Sequence, residues 1–189
     1  MDEEKQWDSH TRQIVGKRTD TQSIFSLQYL TEQESNTLFE LCAILLDDGR
    51  NPIISFVVHH FDATLATNIG ESQRKDGVPK LSILIRDGVA LLEKACTDIY
   101  RSPFGSLNEE TKTEVVSNLM QGNFTLKSDQ ITIPVKDFIH KISSEATAAY
   151  YSHPTIWSEI GYAGPAYPRG YVRTELGLTD PWEARQDGK

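Results

Sequence analysis

The feature that most constrains the fold of this chain is a series of five segments in which apolar residues recur at helical spacing. The first begins near Leu30 and the last ends near Tyr150. A period of about 3.6 residues places the apolar side chains on one face of each helix. The sequence contains no series of strand-like segments and no internal repeat. The sequence therefore predicts an all-α fold, a compact bundle of about five helices.

Local signals place the ends of the first helices. Thr31 followed by Glu34 is a capping-box pattern, which satisfies backbone N–H groups at a helix start. Asn51 before Pro52 predicts a second start, with Asn51 as the N-cap. The longest periodic segment, Leu81–Tyr100, has the widest apolar face, so we expect it to be the central helix of the bundle.

Similar signals mark the later elements. Asn108 is the expected N-cap of an acidic helix that Gly122 ends, and a long helix then runs to Tyr150. Before it, Gln130–Pro134 is predicted as a short extended piece. Pro154–Ile160 is predicted as a short helix closed by a glycine.

The composition excludes some function classes. The 189 residues carry 27 acidic and 19 basic side chains, a net charge of −8. An acidic chain lacks the basic surface that a phosphate backbone requires, so nucleic-acid binding is not expected. No run approaches the roughly 20 apolar residues of a membrane span. Cys42 and Cys96 lie among apolar residues, which favours two buried free thiols over a disulfide.

Three segments differ in character. Residues 1–28 are polar and lack a sustained period, which predicts a flexible N-terminal arm. Residues 29–161 form the predicted helical domain. Residues 162–189 form an extended C-terminal segment that we expect to wrap around a partner. The N-terminal residues contain no apolar stretch and no adjacent arginine pair, so a cytoplasmic location is expected.

The chain lacks the usual signatures of a self-sufficient enzyme. The dinucleotide-binding, phosphate-loop, nucleophile-elbow and zinc-protease motifs do not occur. The best metal-like cluster is His59-His60-x-Asp62, but His60 points about 100° away from the other two on a helix. We therefore expect no catalytic, cofactor-binding or metal-binding residues. Asp47 and Asp48 are interpreted as turn residues.

The C-terminal ribbon, residues 151–171, is the strongest positive signal. It contains four tyrosines, one tryptophan, three prolines and three glycines. One interpretation is a tail that folds back over its own helices, with Trp157 and Tyr162 completing the core. The other is an interface, because Tyr, Trp and Arg carry much of the energy at protein interfaces. Both can hold, with Trp157 inward and Tyr167, Arg169 and Tyr171 outward.

This ribbon with the preceding Tyr150, YYSHPTIWSEIGYAGPAYPRGY, closely resembles the C-terminal signature of the gluconate 2-dehydrogenase subunit 3 family. Two upstream stretches are also similar to that family: LTEQESNTLFELCAILL resembles its opening helix, and RDGVALLEKACTDIYRSPFGSLNEETKTEVV resembles its central helix, loop and next helix. Together the resemblance covers about residues 30–171.

The resemblance implies a non-catalytic small subunit, with no cofactor of its own, that stabilises a large FAD-dependent flavoprotein of the glucose–methanol–choline class and aids its maturation. FAD would lie in the partner, and a cytochrome could accept the electrons. Many relatives carry a twin-arginine export signal, which this sequence lacks. The expected partner-binding residues are Trp157, Tyr162, Tyr167, Arg169 and Tyr171.

Two alternatives from other classes stay open. One is a small metal-dependent helical enzyme that uses His59 and Asp62. The other is a helical regulatory module unrelated to redox chemistry.

Overall fold

A computed structural model describes residues 13, 15–16, 26–67 and 75–162. The chain divides into two compact units, residues 25–150 and residues 1–24 with 151–189. In the first unit the elements are α1 (Glu32–Leu46), α2 (Asn51–Thr67), α3 (Leu81–Tyr100), a 3-10 turn (Phe104–Ser106), α4 (Glu109–Gln121), β1 (Leu126–Lys127), β2 (Thr132–Ile133) and α5 (Val135–Tyr150). The described part of the second unit contains α6 (Pro154–Ile160). The all-α prediction is confirmed.

Three of the predicted capping signals hold. Thr31 Oγ1 accepts a hydrogen bond from the Glu34 N–H at 3.2 Å, and Glu34 Oε2 accepts one from the Thr31 N–H at 2.7 Å. Asn108 Oδ1 accepts from the Thr111 N–H at 2.8 Å and starts α4. Gly122 ends α4 at φ 74°, a conformation that glycine adopts without strain.

Helices α1 and α5 each pack against all four of the other long helices of the first unit. Leu38, Leu41 and Cys42 of α1 are fully buried. Helix α3, Leu81–Tyr100, packs against α1, α2 and α5, the 3-10 turn and both strands of the hairpin, which agrees with its expected central position.

Two apolar residues whose helical spacing predicts a place on the buried faces of α3 and α4 are exposed. Ile99 is 60% exposed and Met120 is 56% exposed. After Cys96 the apolar face of α3 continues through Tyr100, which packs on the core, so the step is four residues and not three. Met120 follows the fully buried Leu119 and is rotated about 100° away from it on the helix.

A small antiparallel hairpin precedes α5. Leu126 of β1 pairs with Ile133 of β2, and Lys127 pairs with Thr132. Both Leu126 and Ile133 are buried, so the hairpin adds to the core beside α3. The sequence predicted only the second of these strands, because two residues of β1 are too few to show a period.

Helix α2 begins at Asn51, one residue earlier than predicted, since the Arg50 carbonyl accepts from the N–H groups of Ile53 and Ile54. In the second unit, α6 has the predicted bounds. His153 Nδ1 accepts from the Thr155 N–H at 3.2 Å, and Gly161 closes the helix at φ 76°. Most of the N-terminal arm and of residues 162–189 lies outside the described residues, so these two segment predictions stay predictions.

No helix within residues 26–67 and 75–162 is both long enough and apolar enough to span a bilayer.

Candidate functional site

The carboxylate of Asp62 on α2 binds backbone. Asp62 is 3% exposed. Its Oδ2 accepts from the Gln28 N–H at 2.7 Å, and its Oδ1 accepts from the N–H groups of Tyr29 at 2.9 Å and Leu30 at 2.8 Å. Both oxygens are therefore engaged by three consecutive peptide groups. This use of Asp62 was missed from the sequence, because its partners lie more than 30 residues away.

These contacts govern the ionisation of the pair proposed for metal binding. Burial raises the pKa of Asp62, but its three backbone hydrogen bonds and the nearby His59 outweigh burial, and the net pKa is lowered. Burial lowers the pKa of His59, against the opposing charge of Asp62. Within the described parts of the chain, no group of three His, Cys, Asp or Glu side chains could hold a metal ion.

Asp48 closes the turn between α1 and α2. Its carboxylate accepts from the Arg50 N–H at 2.8 Å and from Arg50 Nη2 at 2.6 Å. It also accepts a hydrogen bond from the Tyr150 hydroxyl at 2.8 Å. These bonds, the Arg50 guanidinium first among them, lower the pKa of Asp48 to about 2. The interpretation of the Asp47-Asp48 pair as turn chemistry agrees with this geometry, since Asp47 is the left-handed C-cap of α1.

Two further carboxylates connect helices within the first unit. Glu93 Oε1 accepts from the Thr37 hydroxyl at 2.6 Å, and its Oε2 accepts from the Phe104 N–H at 3.0 Å. The buried Lys112 donates to Glu40 Oε2 at 2.6 Å. Such contacts fix the packing of α1, α3 and α4, and they give these side chains a structural use.

The cysteines are inert by environment. Cys42 and Cys96 are both buried and free. Burial raises the pKa of Cys42 far above its usual value and raises the pKa of Cys96 to about 12. Because the thiolate is the reactive form, neither sulfur is suited to nucleophilic or metal chemistry near neutral pH.

A groove of about 330 Å³ lies between α1 and α2. Its lining combines small polar side chains with two apolar ones and two ionisable ones: Ser35, Asn36, Asn51, Ser55, Phe39, Val58, Glu40 and His59. Glu40 in this lining is already paired with Lys112.

The second unit contains the described part of the predicted partner-binding ribbon. Trp157 is 7% exposed, and its indole Nε1 donates to the Tyr151 carbonyl at 2.6 Å. The Tyr162 ring meets the Trp157 ring edge to face, with centroids 5.5 Å apart and planes at 86°. Tyr162 remains 43% exposed. Trp157 is thus an inward anchor, and Tyr162 shows a face to solvent.

Two of the five predicted partner-binding residues, Trp157 and Tyr162, lie among the described residues, and their rings are in contact. Tyr167, Arg169 and Tyr171 lie outside the described residues. Two further exposed apolar residues lie near this pair in the sequence and were not among the expected partner-binding residues: Tyr151, 52% exposed, and Ile160, 58% exposed. Their exposure could not be read from the sequence, since both lie at apolar positions beside a buried tryptophan.

These observations define a class of protein: a small all-α domain followed by a C-terminal ribbon that begins with the aromatic pair Trp157 and Tyr162. The charged side chains that the sequence singled out have structural roles in it. A family model, gluconate 2-dehydrogenase subunit 3, matches residues 32–164. The chain therefore belongs to the gluconate 2-dehydrogenase subunit 3 family, whose members are accessory subunits of a gluconate dehydrogenase complex. No curated protein and no solved structure matches the chain.

Proposed function

We propose that this chain is the non-catalytic small subunit of an FAD-dependent sugar dehydrogenase complex, in which it stabilises a large flavoprotein of the glucose–methanol–choline class and aids its maturation. The observation that carries the proposal is the family match, which extends from the first residue of α1 through α6 to residue 164. FAD belongs to the partner in this proposal, and a cytochrome is a possible electron acceptor.

The described side chains support a binding role for the first part of the ribbon, residues 151–162. Three of the seven exposed large apolar residues in the described part of the chain, Tyr151, Ile160 and Tyr162, lie within twelve residues of one another in the sequence. Trp157, between them in the sequence, is fixed by a hydrogen bond to the Tyr151 carbonyl and by a ring contact with Tyr162. Exposed aromatic and aliphatic side chains on a rigid base are typical of residues that anchor an interface.

We extend this interface along the chain to Tyr167, Arg169 and Tyr171. Pro165 and Pro168 restrict the backbone between them, which lowers the entropy lost on docking. The planar guanidinium of Arg169 could bind a carboxylate or carbonyl groups of the flavoprotein.

The proposal is tested by co-expression with a flavoprotein encoded beside this chain. Deleting residues 162–189 should abolish co-purification of the large subunit while the far-UV circular dichroism of the small subunit stays helical. Retained binding at full affinity would place the interface on the helices and overturn the ribbon assignment. An unfolded truncation would show that the ribbon belongs to the core.

A matched pair of isoleucines gives a sharper test. Ile160→Ala should weaken co-purification by about tenfold, the loss expected for a moderate interface contact. Ile99→Ala is the control, because Ile99 is equally exposed but lies on α3. Equal effects of the two substitutions would contradict the proposed interface.

A cytoplasmic location remains a proposal, and so does the absence of a cofactor in this chain. Fractionation of cells that express the chain with its native N-terminus would decide the first. A flavin absorbance spectrum of the chain purified without partner would decide the second, because bound flavin would contradict it.

A further inference from the structure

Residues Gln28–Leu30, near the start of the first unit, are attached to its helices in an unusual way. Their three consecutive N–H groups all end on the carboxylate of Asp62, at 2.7 to 2.9 Å. A single side chain thus binds the backbone of the whole segment on the α2 side. The segment is short, and Gln28 is exposed while Tyr29 is half-buried.

Arg86 of α3 binds the same segment from the other side. Its Nη2 donates to the Tyr29 carbonyl at 2.8 Å, and its guanidinium carbon lies 4.5 Å from the centroid of the Tyr29 ring. Arg86 Nε also donates to Glu34 Oε1 at 3.0 Å, which fixes the direction of the guanidinium. At the surface, the Arg86 cation therefore holds the carbonyl group and the ring of Tyr29. The buried Asp62 carboxylate holds the N–H groups of the same segment.

We propose that Gln28–Leu30 is a strap that Asp62 and Arg86 hold closed across α2 and α3, and that this strap opens locally while the helical core stays folded. Two side chains supply its polar attachment, so loss of either weakens the strap without removing any apolar side chain from the core. Its apolar anchors are the buried Leu30 and the half-buried Tyr29, which packs against the core.

Asp62 can hold the strap only as a carboxylate. An ionised carboxyl group has acceptors on both oxygens, whereas an amide presents an NH₂ donor in place of one of them. In Asp62→Asn, an N–H of the strap then faces another donor. The lost charge-assisted bond should raise the open population of the strap by about ten- to a hundredfold.

Chymotrypsin tests the proposal, since it cuts after tyrosine and the Tyr29–Leu30 bond lies in the strap. When opening is fast compared with cleavage, the cutting rate follows the open population. Cutting at this bond, followed by mass spectrometry on the full chain, should be about ten- to a hundredfold faster in Asp62→Asn than in the wild type. Asp98→Asn, an exposed aspartate on α3, is the matched control and should cut at the wild-type rate.

Arg86→Ala gives a second, independent variant, because the Arg86 side chain is 40% exposed and its partner Glu34, 15% exposed, keeps its hydrogen bonds from Thr31. It should accelerate cutting about three- to tenfold, against Lys94→Ala as control on the same helix. Far-UV circular dichroism must show that each variant is helical under the assay conditions. If Asp62→Asn is unfolded, Arg86→Ala decides. Wild-type cutting rates in the helical variants would overturn the proposal.

Discussion

Gly88 of α3 lies directly against the ring of Phe138 of α5: a Cβ atom at position 88 would lie 2.3 Å from Phe138 Cε2. Phe138 is fully buried. The ring therefore packs on the backbone of α3, and the two helices approach each other more closely here than any side chain at position 88 would allow. A glycine inside a helix ordinarily costs stability, so this one is retained for packing.

The contact predicts whether Gly88→Ala raises or lowers the free energy of unfolding. In an exposed helix, Gly→Ala raises the free energy of unfolding by about 0.5–1 kcal/mol. At position 88 the overlap with a fully buried ring should reverse this, and we expect Gly88→Ala to lower the free energy of unfolding by about 2 kcal/mol. Urea denaturation followed by circular dichroism measures it.

A second substitution shows whether the ring causes the loss. In the Phe138→Leu background, Gly88→Ala should cost at least about 1 kcal/mol less, because the smaller side chain leaves room for the methyl group. Equal costs in the two backgrounds would show that the overlap with Phe138 is not the cause.

The hydrogen bond from Tyr150 to Asp48 predicts a modest loss on Tyr150→Phe. The bond connects the end of α5 to the turn after α1 at 2.8 Å. Removing the hydroxyl leaves Asp48 with its Arg50 contacts, so the free energy of unfolding should fall by about 1–2 kcal/mol. Tyr151→Phe, which alters the neighbouring and more exposed tyrosine, serves for comparison. A loss below that of Tyr151→Phe would contradict the assignment.

The lowered pKa of Asp48 predicts a dependence of stability on acid. A carboxyl group whose folded pKa lies below its unfolded value stabilises the fold above the unfolded pKa, near 4, and this contribution is lost as the pH falls toward the folded value of about 2. Asp62, whose pKa is also lowered, acts in the same direction. The melting temperature of the wild type should therefore fall between pH 4 and pH 2.

Asp48→Asn isolates the Asp48 contribution. The variant should be less stable than the wild type at pH 7, and its melting temperature should fall less steeply between pH 4 and pH 2, because one titrating group is gone. Thermal melts at intervals of half a pH unit would show it. Parallel curves for the two proteins would mean that Asp48 does not contribute.

The fold class could be predicted because it depends on local patterns. The capping box at Thr31 and Glu34, the cap at Asn108 and the glycine stops all follow from short sequence signals, and the structure has each of them. Which helices pack against one another could not be predicted, since it depends on which faces meet in space. The same holds for Gly88, whose glycine is explained only by a ring 50 residues away.

The charged residues show the same limit more sharply. His59 and Asp62 stand at metal-like spacing, yet Asp62 binds three peptide groups from a segment more than 30 residues earlier. Lys112 is buried against Glu40, 72 residues away, and no local pattern marks it. The short helix at the start of the ribbon could be predicted, because Pro154 and Gly161 on either side of Trp157 are local signals for its two ends.

The buried cysteines predict a thiol count that depends on folding. Both thiols have raised pKa values through burial, so the native chain should react with a thiol reagent such as Ellman's reagent far more slowly than a free cysteine. In guanidinium chloride two thiols per chain should react at once. Zero thiols in the denatured, unreduced chain would mean that Cys42 and Cys96 form a disulfide.

The pair of Lys112 and Glu40 should contribute more stability than an exposed ion pair. The Lys112 side chain is 6% exposed and donates to Glu40 Oε2 at 2.6 Å, and its second partner Glu109 lies 3.5 Å away. Burial lowers the pKa of Lys112, but its two glutamates outweigh burial and the net pKa is raised, so the ammonium is charged at neutral pH.

Replacing Lys112 with alanine leaves Glu40 without its partner and opens a space between α1 and α4. Glu40 is 34% exposed and can be rehydrated in part, so we expect a loss of about 2 kcal/mol in the free energy of unfolding, less than for a fully buried pair.

The control is Lys141→Ala, which removes an exposed lysine that lies 3.5 Å from Glu145 and should cost at most about 0.5 kcal/mol. Urea denaturation of both variants, at low and high salt, separates the two: only the small Lys141 effect should vanish at high salt, and an equally small effect of Lys112→Ala would show that the buried pair adds nothing.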